Sequence, residues 1–243
     1  MQANIVDIWR YKDIDVYYSP DVDGDGRNQA PSFVAYIRQR FGTEKRFGRV
    51  FEWCAGPAFI GFSLLAEGIA ETLCVADVNP TAIDFVRRTV EAAGLSDRVS
   101  SYISDNMLDV PESEVFDLVV GNPPTFYDIN PLHHDYHWLA GDLRANDPGW
   151  KIHEAFYLQI GRHLRPGAPL LIQEVEPTEC LVRVPAGYPI HWDTRPEPPI
   201  DRFKAMIAAG GLIYEDARKY HIAPRDKVEH WIVASRASSE PVG

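Results

Sequence analysis

From Arg49 onward the chain alternates between short apolar runs and longer stretches in which apolar residues recur every three or four positions. The first pattern suits a strand and the second an amphipathic helix. RVFEW (Arg49–Trp53) reads as a strand, FIGFSLLAEGIA (Phe59–Ala70) as a helix closing near Gly68, and ETLCVADV (Glu71–Val78) as a second strand. PTAIDFVRRTVEAAGL (Pro80–Leu95) opens with proline in its first turn and closes on Gly94, the usual helix punctuation. VSSYISD (Val99–Asp105) follows as a third strand. FDLVVG (Phe116–Gly121) is apolar on both faces, which predicts an interior strand of a parallel sheet. Beyond it, WKIHEAFYLQIGRHL (Trp150–Leu164) sets Ile152, Phe156, Ile160 and Leu164 at helical spacing, and RPGAPLLIQEV turns into a strand. IDRFKAMIAAGG, LIYEDARKYHI and VEHWIVASR complete the pattern as helix, strand and strand.

Repeated strand–helix units imply a parallel sheet with helices on both faces. The last two strands, joined by the short polar APRDK, are most simply antiparallel neighbours. No repeat or linker divides this unit, so the pattern predicts one α/β domain over 49–243, preceded by an N-terminal segment, 1–48.

Composition narrows the class of partner. With 45% hydrophobic and 24% charged residues the chain is that of an ordinary globular protein. Its formal net charge of -11 provides no overall field to concentrate polyanions, which disfavours nucleic acid and anionic membranes. Small molecules, or basic or neutral protein surfaces, are the expected partners. No stretch is long and apolar enough to span a membrane, and the first residues lack a signal-peptide core. Cys54, Cys74 and Cys180 form no CxxC pair, so a reducing cytoplasm is the expected compartment.

In an open parallel sheet, ligands bind beyond the carboxyl ends of the strands. After the first strand comes EWCAGPAFIG, where Gly56 permits a tight turn and the next helix offers its N-terminal N–H groups. A tight turn also occurs without a ligand, and Cys54 and Ala58 stand where a phosphate-binding loop would carry glycine. Both substitutions are compatible with the loop if these positions take negative φ. After the second strand, Asp77 suits a ribose diol; capping the next helix is the competing role, for which Asn79 is better placed. After the third, Ser104-Asp105-Asn106 either reads the amino group and ring nitrogen of an adenine or forms a simple turn. After the fourth, Asn122-Pro123-Pro124 offers two acceptors, the Asn122 Oδ1 and the Pro123 carbonyl, on a backbone restricted by proline. Such a pair can hold both hydrogens of an NH2 group.

The order Glu52-x-x-x-Gly56, Asp77, Asp105 and Asn122-Pro123-Pro124 resembles the class I S-adenosylmethionine-dependent methyltransferases, in particular the nitrogen-methylating branch whose fourth motif is Asn/Asp-Pro-Pro-Tyr/Phe. The resemblance covers roughly Arg49 to Val175 and, more loosely, the final strand pair. It implies a Rossmann-like methyltransferase fold: a seven-stranded, mostly parallel sheet with an antiparallel last strand and helices on both faces. It implies S-adenosylmethionine as cofactor, with Glu52, Cys54, Ala55 and Gly56 near the methionine part. Asp77, Val78 and Asn79 would then border the ribose, and Asp105 and Asn106 the adenine. Asn122 would both border the cofactor and, with Pro123, orient the acceptor, with Phe126 and Tyr127 as walls. Thr125 departs from the motif's aromatic position; either Phe126 or Tyr127 takes its place by a slip of one or two residues, or the acceptor is not a flat base.

Two stretches, near 125–149 and 183–199, are long for connections and are expected to form the substrate pocket. Tyr136 and Trp138 would make it aromatic. Asp128, His133, His134 or Glu174 would accept a proton from a charged amine. HHDYHW (His133–Trp138) could hold a metal, but without a second ligand group at recognised spacing its histidines read as hydrogen-bonding or acid–base residues. DVDGDGRNQAPS (Asp21–Ser32) starts in calcium-loop order but has Ser32 where a bidentate glutamate is needed. Tyr17 to Ala30 is read instead as a mobile flap over the cofactor. The expected function is methyl transfer to an amine or amide nitrogen of a small molecule or protein side chain. A nucleic-acid adenine or guanine methyltransferase and a non-catalytic cofactor-binding protein are the alternatives.

Overall fold

Strands β3 (Phe47–Trp53) and β6 (Leu118–Gly121) carry apolar side chains on both faces, and each therefore needs a covering layer above and below. The computed structural model describes residues 6–24, 26–124, 147–175, 181–183, 189–191, 199–220 and 230–239. In it β3 and β6 lie side by side at the centre of a seven-stranded sheet. On one side of them run β4 (Ala70–Asp77) and β5 (Val99–Ile103); on the other run β7 (Pro169–Val175), β11 (His230–Arg236) and β10 (Ile213–Tyr220). The order is β10-β11-β7-β6-β3-β4-β5, and β11 is antiparallel to both of its neighbours. The expected sheet, with its antiparallel last strand, is present. A separate hairpin pairs β8 (Leu181–Arg183) with β9 (Pro189–His191).

Alternation along the central strands feeds two cores. Val50, Leu118 and Val120 face helices α1 (Gly26–Phe41), α2 (Phe59–Ala66) and α3 (Pro80–Ala92), meeting Phe33, Ile37, Ile60, Phe62 and Ile83. Phe51, Trp53 and Val119 face α4 (Lys151–Ile160) and α5 (Pro199–Ala209), meeting Phe156, Tyr157, Phe203 and Ile207. Helix α3 is punctuated as its sequence predicts: the Asn79 side chain accepts from the Thr81 N–H at 3.0 Å, and Gly94 closes it at φ +65°.

The described part of 1–48, a segment to which the apolar pattern assigns no elements, contributes to the first core. A hairpin of β1 (Asp7–Tyr11) and β2 (Ile14–Tyr18) buries Ile14, Val16 and Tyr18. The Tyr17 N–H donates to the Thr89 hydroxyl of α3 at 3.0 Å. Helix α1 buries Ala30, Phe33, Val34 and Ile37, an i, i+3, i+4, i+7 face, and packs on α2. Arg40 at its end pairs with Glu215 at 2.6 Å and Asp216 at 2.7 Å, joining it to β10.

The second core closes around a contact that admits no side chain. Gly210, just past α5, lies so near α4 that a Cβ would fall 2.1 Å from the Tyr157 carbonyl. Gly210→Ala must push the two helices apart, and urea denaturation is expected to show a loss of about 1–3 kcal/mol.

Candidate functional site

The carboxyl ends of β3, β4, β5 and β6 open into one cleft of about 970 Å³, including its mouth. Its walls come from the loops after these four strands, from Ile152 of α4, and from Val22, Gly24 and Gly26 of the N-terminal segment. The four strand ends picked out by sequence are thus gathered in one place: Glu52, Cys54, Ala55, Gly56, Asp77, Val78, Asn79, Asp105, Asn106 and Asn122 all border the cleft.

The loop after β3 is strained. Cys54, Gly56 and Ala58 take φ of +50°, +52° and +63°. This corrects the expectation of negative φ at the two non-glycine positions, and costs roughly 1–2 kcal/mol for each of them. Elsewhere among the described residues only Lys12, Asn106 and Trp150 are non-glycine residues with left-handed φ, and Asn106 also borders the cleft. Strain that gathers at one cleft marks a site whose surroundings hold the backbone in place. What holds this loop is visible. The Ala55 N–H donates to the Ala76 carbonyl at 3.1 Å, and the Gly56 N–H to Asp77 Oδ2 at 2.7 Å. Gly56 cannot be larger without pressing on the Val22 carbonyl, which a Cβ would meet at 3.3 Å.

Glu52 is buried at the end of β3, and its Oε2 accepts from the Gly61 N–H of α2 at 2.6 Å. Burial raises its carboxyl to about 8, against the lowering effect of the Gly61 and Ile60 N–H groups. Gly61 is small for the same reason: a Cβ there would stand 2.6 Å from that oxygen. Asp77 accepts from Asn79 N–H through Oδ1 at 2.8 Å and from Gly56 through Oδ2. Burial pushes its carboxyl up, and these two N–H groups pull it back. Asn106 does not present its amide freely: Oδ1 accepts from the Trp53 indole at 2.9 Å, and Nδ2 donates to Asp105 at 3.3 Å. Asp105 is exposed.

Asn122 leaves β6 at the cleft, and its Nδ2 donates to the Gly24 carbonyl at 2.8 Å. The expected flap is therefore resolved into parts: Tyr17 and Tyr18 belong to β2, Asn28 to Ala30 belong to α1, and the turn between them borders the cleft. Thr125, Phe126, Tyr127, Asp128, His133, His134, Tyr136 and Trp138 lie outside the described residues, as do Asp25 and most of 183–199.

Glu174, expected in the substrate pocket, is instead buried within the second core, 1% exposed, and does not border the cleft. Its Oε1 lies 2.8 Å from His153 Nε2, while Asp147 Oδ2 lies 2.6 Å from His153 Nδ1. Neither Asp147 nor His153 was singled out from sequence. The signal was present, because His153, Phe156, Tyr157 and Ile160 form an i, i+3, i+4, i+7 face, and all four are buried. Asp147 also caps α4, accepting from the Ile152 and His153 N–H groups at 2.8 and 3.1 Å. Burial alone would lower the His153 pKa, but the Glu174 charge and the bonds to both carboxylates raise it to about 9. The folded value lies above the unfolded one near 6.5, so this stabilisation is complete below about pH 6.5 and is lost as pH rises through 9. Urea denaturation at pH 6 and pH 10 is expected to show that loss in the native chain and not in a His153→Gln variant.

Residues 36–133 match the family described as the methyltransferase small domain. The ribosomal protein uL3 glutamine methyltransferase of Francisella tularensis subsp. tularensis is 25% identical over 148 residues, covering 59% of this chain and 46% of that protein. The chain thus spans less than half of that curated relative. Among solved structures, M. jannaschii TYW2 in complex with AdoMet has a TM-score of 0.56 at 15% identity, covering 97% of this chain and 87% of that one. The ribosomal protein L11 methylase of Lactobacillus delbrueckii subsp. bulgaricus has a TM-score of 0.54 at 11% identity, over 86% and 79%. The fold is the Rossmann-like methyltransferase fold, and the part of it over residues 36–133 is similar to the methyltransferase small domain.

Proposed function

We propose that this domain methylates nitrogen, and that the acceptor is a side-chain amide of a protein or a comparable nitrogen of a small molecule. The observation that carries the reading is the Asn122 carboxamide at the cleft. Its Nδ2 is already committed to the Gly24 carbonyl, so its Oδ1 is left as an acceptor. Next in the chain, the Pro123 carbonyl is held by a Pro-Pro backbone, of which Pro124 lines the cleft and Pro123 does not. Two neighbouring acceptors match the two N–H hydrogens of a carboxamide. The relative named as a glutamine methyltransferase supports the same choice. So does the net charge of -11, which suits a basic protein partner better than a nucleic acid.

The residues present fit S-adenosylmethionine. Asp77 and Asp105 retain acceptor lone pairs for ribose hydroxyls and for the adenine amino group, and the Gly56 loop leaves room for close approach. Glu52 would lie toward the methionine part, where a cationic group favours its carboxylate form. The bound cofactor supplies a methyl group already activated on a sulfonium. What the chain adds is alignment, which is worth up to about 7–11 kcal/mol of a barrier when both partners are held in place. Asn122 Oδ1 and the Pro123 carbonyl, by accepting the acceptor's two N–H groups, turn its lone pair toward the methyl. The displaced proton leaves after transfer, so no strong base is needed at this point.

Calorimetry with S-adenosylmethionine is expected to show one site, abolished by Asp77→Ala; an absence of heat in the native chain would sink the reading. Asn122→Ala should bind the cofactor as the native chain does, yet lose about 10²-fold or more in methyl transfer. Equal transfer by both would remove Asn122 from the site.

A further inference from the structure

We infer that His153 is a positioning residue of the methyl-transfer site, an imidazolium held by Asp147 and Glu174 that locks the start of α4 to the end of β7 and so sets the acceptor side of the cleft. The inference rests on the methyltransferase reading for its consequence, but not for its geometry. A carboxylate only accepts, and His153 faces one at each ring nitrogen, at 2.6 and 2.8 Å. With both partners ionised, both nitrogens donate and the ring carries both protons. All three side chains are fully enclosed, at 0%, 0% and 1% exposure. In such surroundings charge-assisted bonds are strong, and an unpaired carboxylate is costly.

The two partners occupy informative places. Asp147 stands immediately before the turn that starts α4, and Ile152 next to His153 forms part of the cleft wall. Glu174 lies two residues beyond Ile172, which pairs with Gly121, and Asn122 follows Gly121. The imidazolium therefore links a wall of the cleft to the strand flanking Asn122. Its ring also meets Trp53 edge-on, with centroids 5.2 Å apart, and Trp53 is both a wall of the cleft and the donor to Asn106. The ring also meets Trp150 at 5.0 Å and Phe203 at 5.3 Å. Among the described residues, two other titratable groups feel the cluster: Tyr157 of α4, whose hydroxyl burial and the Glu174 charge push up, and Cys54 of the loop after β3, whose thiol burial and the charges of Asp77, Asp147 and Asp105 push up. From β11, Trp231 is directly opposite Glu174 and brings no charge.

One imidazolium between two carboxylates leaves the cluster with a single negative charge. Among the described residues, Glu174 Oε2 and the Tyr157 hydroxyl are both buried without a hydrogen-bond partner. Neutralising His153 would set two enclosed carboxylates against each other and take from one of them the N–H it accepts, which weakens the link between the start of α4 and β7.

Nitrogen-15 NMR of the full chain tests the charge state without any variant. Two slowly exchanging ring N–H signals from His153 at pH 8 are expected; a neutral ring with one N–H would overturn the proposal. His153→Gln, which cannot donate in both directions, is expected to bind S-adenosylmethionine within a few-fold of the native chain. Its kcat should fall about tenfold to a hundredfold and its acceptor KM should rise. His153→Gln/Glu174→Gln removes the stranded charge; it should recover stability but not kcat. If the folded fraction of either variant shows native kcat and KM, the positioning role is wrong. If the native chain neither binds nor transfers, the methyltransferase reading fails instead, and the NMR result stands apart from it.

Discussion

Two backbone N–H groups converge on the Asp77 carboxylate, one from Gly56 at 2.7 Å and one from Asn79 at 2.8 Å. The first belongs to the loop after β3 and the second to the loop after β4, so one side chain ties together two neighbouring strand ends. Without it, both loops would leave N–H groups unmatched at the edge of the sheet, and a largely enclosed carboxylate would stand alone. With it, the left-handed turn through Cys54, Gly56 and Ala58 is held in a conformation that those side chains would not choose. The same turn brings Gly56 against the Val22 carbonyl, and so seats the N-terminal segment over the cleft. The shape of the site therefore follows from one carboxylate, before any ligand is considered.

The N-terminal segment completes the site from the other side. Its hairpin and α1 are anchored far from the cleft, through Thr89, Glu215 and Asp216, which leaves the turn around Gly24 a short bridge between fixed ends. From that bridge a carbonyl reaches Asn122 and decides which way its amide points. Asn122 is then oriented by residues nearly a hundred positions earlier. On the opposite wall, the Asp147–His153–Glu174 cluster performs the matching task for α4 and β7.

Legibility in the sequence followed the range of the forces involved. Strand and helix periods, the Asn79 cap and the Gly94 stop are local, and they matched the structure closely. The antiparallel end of the sheet followed from a short joint between two strands, and the strand-end residues followed from the rule that such sheets bind ligands at their carboxyl edge. Three features were not legible. The φ values of Cys54 and Ala58 depend on Asp77 and Val22, which only the folded chain brings near. The packing of β2 and α1 depends on partners such as Thr89 and Asp216, 72 residues beyond Tyr17 and 180 beyond Tyr36. Glu174 looked like a pocket base because it ends a strand. Its side chain instead turns into the second core, where His153 on the buried face of α4 claims it.

The central claim is that the clamp formed by Asn122 and the Pro123 carbonyl holds an amide rather than a nucleobase. Transfer of a tritiated methyl group from S-adenosylmethionine into cell extract, separated into small-molecule, protein and RNA pools, tests it most directly. Label in the protein pool, recovered as an N-methylated side-chain amide, is the expected result. Label confined to RNA would contradict it.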